Sequence, residues 1–142
     1  MFCVAHNWPA LHPGSICLYL QAKGLDRAIA ITDSIMAAGL PDGEYMLGVN
    51  EVVVKDGDAR LKHGDARAGS TLTMARAFRN LRKFTGRPTA ELVPLLSENA
   101  ARLLGEDKRI GNLTPGKRAD LLILKDDEIH RVMLRGAFCN FD

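Results

Sequence analysis

One carboxylate is a candidate for chemistry because of the residues that precede it. Residues 28–32 form a short apolar run with β-branched side chains, which is typical of a strand buried on both faces in a parallel sheet. Asp33 follows this run directly. A carboxylate at the end of such a strand can transfer protons. Aspartate is also common where a chain simply turns, so the spacing leaves both interpretations open.

The residues that bind metals do not form a recognisable local set. None of the four histidines shows HxH or HExxH spacing, so the sequence predicts no metal site built from neighbouring ligands. The histidines are His6, His12, His63 and His130. We interpret the last two as surface residues, because one follows a predicted hairpin and the other lies in a predicted edge strand.

Cysteine usage and charge exclude several classes of protein. The three cysteines are odd in number and lack a CxxC pair, which favours a reduced, cytoplasmic setting over a disulfide framework. With 19 basic and 17 acidic residues, the chain is too balanced to predict binding to nucleic acid or to an anionic membrane. Neither a signal peptide nor a run long enough to span a membrane is expected. A length of 142 residues allows one ordinary domain.

Helices and antiparallel strands are predicted around the aspartate. Asp56-Gly57 is a strong hairpin signal, Ser70 is a candidate cap for the helix that follows it, and Ser97 is a candidate cap between two further helices. The predicted helices span 15–23, 70–84, 89–96 and 98–104, and the predicted strands span 44–47, 51–55, 59–62, 119–124 and 129–134. The strand at 28–32 has no parallel partner in this pattern, which indicates part of something larger.

Several motifs, in a fixed order, resemble the N-acetylglucosamine-6-phosphate deacetylases of the amidohydrolase superfamily. The most specific pair is AGLPDG at 38–43 and AGSTLTM at 68–74. The others are AKG at 22–24, ITDS at 31–34, VVKDG at 53–57, ARLLG at 101–105 and PGKRADL at 115–121. The last motif is common across metal-dependent amidohydrolases and by itself indicates only the superfamily. The resemblance extends from His12 to Gly136.

The resemblance implies an α/β fold: the C-terminal portion of a (β/α)₈ amidohydrolase barrel plus strands of a β-sandwich. Residues 28–32 would be the last barrel strand. Residues 1–10 do not match the family and would form a separate N-terminal segment. Residues 11–106 would be the barrel portion with a β-hairpin insertion, and residues 107–142 would be the sandwich portion.

The resemblance also implies roles for particular residues. Asp33 corresponds to the aspartate that accepts a proton from a metal-activated water and donates it to the departing amine. Arg67, Ala68 and Gly69 match a loop that contacts the substrate, although a simple entry into a helix is an equal alternative. The implied cofactor is a divalent metal ion of the zinc or iron type.

The sequence departs from the family in ways that bear on activity. Nothing corresponds to the glutamate and two histidines that bind the metal, and Ala10 stands where the family has a substrate-contacting histidine. His12 matches a flanking histidine with a structural role, and Ala100 replaces a usual proline. We therefore expect a hydrolase of amino-sugar metabolism that removes acetate from N-acetylglucosamine 6-phosphate but is inactive as this chain alone. It would form a homo-oligomer or need a missing N-terminal half. The alternative is a non-catalytic remnant or assembly module.

Overall fold

The computed structural model describes residues 12–64 and 66–140, so the predictions for the N-terminal segment, including Ala10, lie outside the described residues. These residues form a mixed helix and strand structure, as predicted. The helices are α1 (Pro13–Lys23), α2 (Met74–Thr85), α3 (Thr89–Leu96) and α4 (Glu98–Leu103), with a short 3₁₀ helix at Leu25–Arg27. The strands are β1 (Gly43–Leu47), β2 (Asn50–Lys55), β3 (Asp58–Leu61), β4 (Leu121–Lys125), β5 (Glu128–Leu134) and β6 (Ala137–Phe138).

Strands β1, β2 and β3 form an antiparallel meander, and the turn between β2 and β3 was predicted from the sequence. Asp56 and Gly57 both have positive φ, 52° and 75°, as a two-residue hairpin turn between right-twisted strands requires. Val52 and Val54 of β2 point inward and are buried together with Ala59 of β3. On the outward face of β2, Glu51 and Lys55 are exposed and Val53 is partly buried, so the sheet has one buried and one more solvated face.

Helices α1, α2 and α3 pack around the apolar segment that precedes Asp33. Ala28 and Ala30 of this segment are buried at 0% and 3% exposure. Each fully buried leucine or isoleucine around them stabilises the fold by about 1.5–3 kcal/mol. The other members of this cluster are Ile16, Leu20, Phe78, Leu81, Leu92 and Leu95.

The C-terminal sheet, β4-β5-β6, contacts the helices through ion pairs and through Leu124, which packs against the helical core. Arg79 of α2 forms an ion pair with Glu128 at 2.8 Å, and Arg82 forms one with Asp127 at 2.7 Å. Strand β6 was not predicted. It forms because the turn at Arg135 and Gly136, both with positive φ, folds the chain back onto β5. Among the described residues, no helix has the length and apolar character needed to cross a membrane.

The prediction of a strand over residues 28–32 is wrong. Ala28 is extended, but residues 28–32 form no strand ladder with any other residue that the structure describes. A strand needs a hydrogen-bonded partner, and here the Ala30 N–H instead donates to the Leu95 carbonyl of α3 at 2.8 Å. The apolar composition of the run therefore predicted its burial correctly and its pairing incorrectly.

One predicted helix cap is wrong, and a second is confirmed in its position but not in a bond to the helix that follows. Helix α2 begins after Thr73, whose side chain accepts from the Arg76 N–H at 3.3 Å, and not after Ser70. Ser97 occupies the cap position between α3 and α4 as expected, but its hydroxyl donates backward to the Val93 carbonyl in the last turn of α3 and makes no capping bond to α4. Local sequence identified serines with the right chemistry, whereas the tertiary structure determined their partners.

Candidate functional site

Asp33 lies at the end of the buried extended segment and is exposed to solvent. Its φ of 53° places the residue in the left-handed region, which aspartate tolerates better than most residues. The main chain thus turns sharply at Asp33, three residues after Ala30, the last position of this segment that the helices hold in the core. A carboxylate in this position is fixed at its backbone and accessible at its side chain.

Ser70 holds the backbone on both sides of Asp33. The Ser70 N–H donates to the Asp33 carbonyl at 2.8 Å, and the Ile35 N–H donates to the Ser70 carbonyl at 2.9 Å. The Ser70 hydroxyl donates to the Thr32 carbonyl at 2.5 Å and accepts from the Leu72 N–H at 3.1 Å. Ser70 itself is only 2% exposed. One buried residue therefore fixes the peptide groups that flank the aspartate.

Gly69 packs directly against the same turn. Its φ is +68°, and a Cβ placed on it would lie 2.9 Å from the Asp33 carbonyl oxygen and 2.8 Å from Ile35 Cγ2. Both the conformation and the lack of space require glycine here. The structure thus brings Gly69, one of the predicted substrate-loop residues, next to the predicted catalytic aspartate.

Arg67 and Ala68 lie in the same loop but in different environments. Ala68 is 6% exposed, and its N–H donates to the Ala59 carbonyl, so its side chain belongs to the core of the β-meander. Arg67 is exposed, and its Nε donates to Asp58 Oδ1 at 3.0 Å. Arg60 donates to the other oxygen of Asp58 at 2.8 Å. Arg67 is therefore held by the carboxylate of Asp58, at the end of the hairpin.

The two arginines determine the ionisation of Asp58. Partial burial acts to raise the pKa of this carboxyl, but the hydrogen bonds and charges of Arg60 and Arg67 outweigh it and lower the pKa below its ordinary value of 3.8. Asp58 therefore keeps its charge to lower pH than an unpaired aspartate would, and its ion pair holds the Arg67 side chain at the hairpin.

The histidines do not form a metal site within the described residues. His12 caps α1, its Nδ1 accepting from the Gly14 N–H at 3.0 Å, which agrees with a structural role. His63 and His130 are exposed, and His63 lies 3.3 Å from Glu51. Over residues 12–64 and 66–140, no three His, Cys, Asp or Glu side chains cluster closely enough to hold a metal ion. These residues alone do not fit the divalent metal that the resemblance implies.

One buried residue that supports the candidate site, Asn99, was not predicted from the sequence. Asn99 of α4 is 5% exposed, and its Nδ2 donates to the carbonyls of Leu25 and Ala28 at 2.7 and 2.6 Å. These bonds fix the start of the extended segment that ends at Asp33. The available signal was an asparagine on the buried side of a short helix, where an amide needs partners.

Comparison with known proteins agrees with this architecture. Residues 26–139 match the model of the Amidohydrolase family, which is most of the chain. The chain belongs to the amidohydrolase family.

The relatives within this family are sugar-phosphate deacetylases. The N-acetylglucosamine-6-phosphate deacetylase of Bacillus subtilis is 41% identical over 88% of this chain and 32% of its own length. The N-acetylgalactosamine-6-phosphate deacetylase of Escherichia coli is 38% identical over 92% of this chain and 34% of its own length. The crystal structure of N-acetylglucosamine-6-phosphate deacetylase from Thermotoga maritima superimposes with a TM-score of 0.83 at 40% identity, over 90% of this chain and 35% of that one. The chain therefore spans about a third of the length of these relatives.

Proposed function

We propose that this chain supplies the acid–base part of an active site that removes acetate from N-acetylglucosamine 6-phosphate. The observation on which this depends is the exposed Asp33 carboxylate, held in a left-handed turn by Ser70 and Gly69. The relatives are deacetylases of N-acetylated amino-sugar 6-phosphates, which supports this class of substrate. The enzyme would be a hydrolase of amino-sugar metabolism.

The proposed role of Asp33 follows from the requirements of amide hydrolysis. The oxygen of water attacks the acetamide carbonyl carbon, and the carbon–nitrogen bond breaks. Asp33 accepts a proton from the attacking water and delivers it to the departing amine nitrogen. The products are acetate and glucosamine 6-phosphate. A side chain that accepts and then donates the proton must stay in one place, which explains why a fixed backbone at Asp33 is useful.

The loop at residues 67–69 is proposed to face the sugar. The absence of a side chain at Gly69 lets this loop pack directly against the Asp33 turn, and Arg67 places a cation in the same loop. Since Ala68 is buried, its contribution to a substrate would come from its backbone.

The remainder of the enzyme is proposed to come from outside the described residues. Residues 11–106 would be part of a (β/α)₈ barrel and residues 107–142 part of a β-sandwich. A divalent metal of the zinc or iron type would be bound by a segment that corresponds to the other two thirds of the relatives. The complete unit would form through a complementary half or a homo-oligomer.

A chimera tests the proposal. This chain would replace the matched third of the Bacillus subtilis deacetylase, and acetate release from N-acetylglucosamine 6-phosphate would be measured beside the isolated 142-residue chain. We expect turnover in the chimera and none in the isolated chain. A chimera that is folded and binds metal but lacks turnover would contradict the proposal. Turnover by the isolated chain that a chelator abolishes would show that residues outside this chain are not needed. It would favour a set of metal ligands within the chain that the sequence did not reveal.

A further inference from the structure

We infer that Ser70 is a positioning residue for the proposed acid–base group Asp33, and this inference rests on the proposed function. Ser70 lies 37 positions after Asp33 in the sequence and makes three hydrogen bonds to residues 32–35 of this turn, while its hydroxyl also accepts from the Leu72 N–H. Its side chain and its main chain act on consecutive peptide groups, which distinguishes it from a residue that merely packs nearby.

The bonds act on the two carbonyls that determine the direction of the turn. The Thr32 carbonyl accepts from the Ser70 hydroxyl and the Asp33 carbonyl accepts from the Ser70 N–H. With both carbonyls fixed, the Asp33 backbone is held at φ 53°, a region that an unrestrained residue rarely occupies. If the hydroxyl is lost, the Thr32 peptide is free to rotate and Asp33 can return to an extended conformation.

The surroundings of Ser70 exclude two other roles. It does not cap α2, because Thr73 does so. It is also not placed as a nucleophile, because it is 2% exposed and its hydroxyl is used both to donate to Thr32 and to accept from Leu72. The Ser70 hydroxyl therefore has a structural role, and its acceptor, Thr32, directly precedes Asp33.

The first test uses NMR on the 142-residue chain and does not depend on activity. Ser70→Ala should shift the Asp33 and Ser34 backbone ¹³C resonances away from left-handed values. It should also accelerate hydrogen exchange of the Leu72 amide by about tenfold, because this amide loses its acceptor. Thr71→Ala is the matched control, since Thr71 makes a similar bond to the Gly57 carbonyl at 2.6 Å. It should leave Asp33 unchanged.

The conservative variants keep the test decisive if Ser70→Ala does not fold. Ser70→Thr retains the hydroxyl and should restore the Asp33 resonances, whereas Ser70→Cys retains the size with a weaker donor and should give intermediate shifts. Unchanged Asp33 resonances in the Ala and Cys variants, or equal changes in Thr71→Ala, would overturn the inference.

The second test separates this inference from the proposed function. In the chimera, Ser70→Ala should lower kcat by about tenfold with little change in KM, and Ser70→Thr should recover most of the loss. If Asp33→Asn leaves turnover intact, the proposed function fails even though the NMR result for Ser70 stands. If Asp33→Asn abolishes turnover while Ser70→Ala alters neither kcat nor the Asp33 resonances, only the positioning role fails.

Discussion

Gly69 and Asp33 lie so close together that a methyl group on Gly69 would sit 2.9 Å from the Asp33 carbonyl oxygen. The same methyl would lie 2.8 Å from Ile35 Cγ2. Neither atom can move easily, because Ser70 bonds to the backbone of both Asp33 and Ile35. The proposed substrate loop and the proposed catalytic turn are thus one packed unit.

We expect Gly69→Ala to destabilise the chain more than an ordinary glycine substitution at positive φ. Gly86→Ala is the matched control, since Gly86 has φ +65° and open space where its Cβ would lie. In both variants an alanine in the left-handed conformation costs about 1 kcal/mol of stability. Only Gly69→Ala adds overpacking, which costs about 1–3 kcal/mol more. Urea unfolding of both variants measures the difference. Equal losses would show that the loop relaxes away from Asp33.

The sequence correctly predicted those helices, strands and turns whose conformation depends on residues close together in the chain. Asp56 and Gly57 predicted the hairpin because their own conformations produce the turn. Segment 28–32 was predicted as a strand on composition, but pairing depends on a partner elsewhere. The apolar run gave no information that Leu95 would be the acceptor for Ala30.

The hydrogen bonds that hold the candidate site could not be predicted either, because they also join residues that are far apart in the chain. Ser70 was interpreted as a helix cap from its neighbours, while its hydroxyl bonds to Thr32, 38 positions away. Asn99 bonds to Ala28 across 71 positions. The run before Asp33 made it a candidate, but only the resemblance to a family favoured catalysis over a simple turn and drew attention to Gly69, since an aspartate at a turn and a glycine before a helix are common in all proteins.

We expect Asp33→Asn to separate catalysis from stability. Asparagine tolerates left-handed φ as well as aspartate does, so the free energy of unfolding should change by less than about 0.5 kcal/mol. Turnover of the chimera should nevertheless fall by roughly 10² or more, since an amide cannot transfer the proton. Asp33→Ala serves as the contrast and should also lose about 1 kcal/mol of stability. Turnover within a few-fold of the parent would show that Asp33 is not the proton-transfer group.

The Asp58 carboxylate should make the hairpin sensitive to acid. Its pKa in the folded chain is lower than the ordinary 3.8, so its bonds to Arg60 and Arg67 stabilise the fold fully above 3.8. This stabilisation is lost as the pH falls through the lower, folded pKa. Asp58→Asn should therefore be less stable than the parent at neutral pH, and the gap should close in strong acid. Urea unfolding across this pH range tests it, and a gap that is constant with pH would contradict the assigned pairing.

The C-terminal sheet should drive association of the chain. Leu122 and Leu134 are 57% and 53% exposed on one face, and Ile123 and Phe138 are 41% and 40% exposed on the other. A three-stranded sheet with apolar side chains exposed on both faces provides a surface that proteins normally cover. We expect sedimentation over about a hundredfold range of concentration to show self-association, as mass action requires.

Charge placed on this sheet should reverse the association. Leu122→Lys combined with Leu134→Lys puts two cations on one face and should shift the chain toward monomer, because burying an unpaired charge costs several kcal/mol. Val49→Lys is the control: Val49 is 93% exposed, but it lies in the turn between β1 and β2, away from this sheet. It should leave the distribution of species unchanged. A parent chain that remains monomeric at every concentration would contradict this prediction, and an equal effect of the Val49 control would place the contact elsewhere.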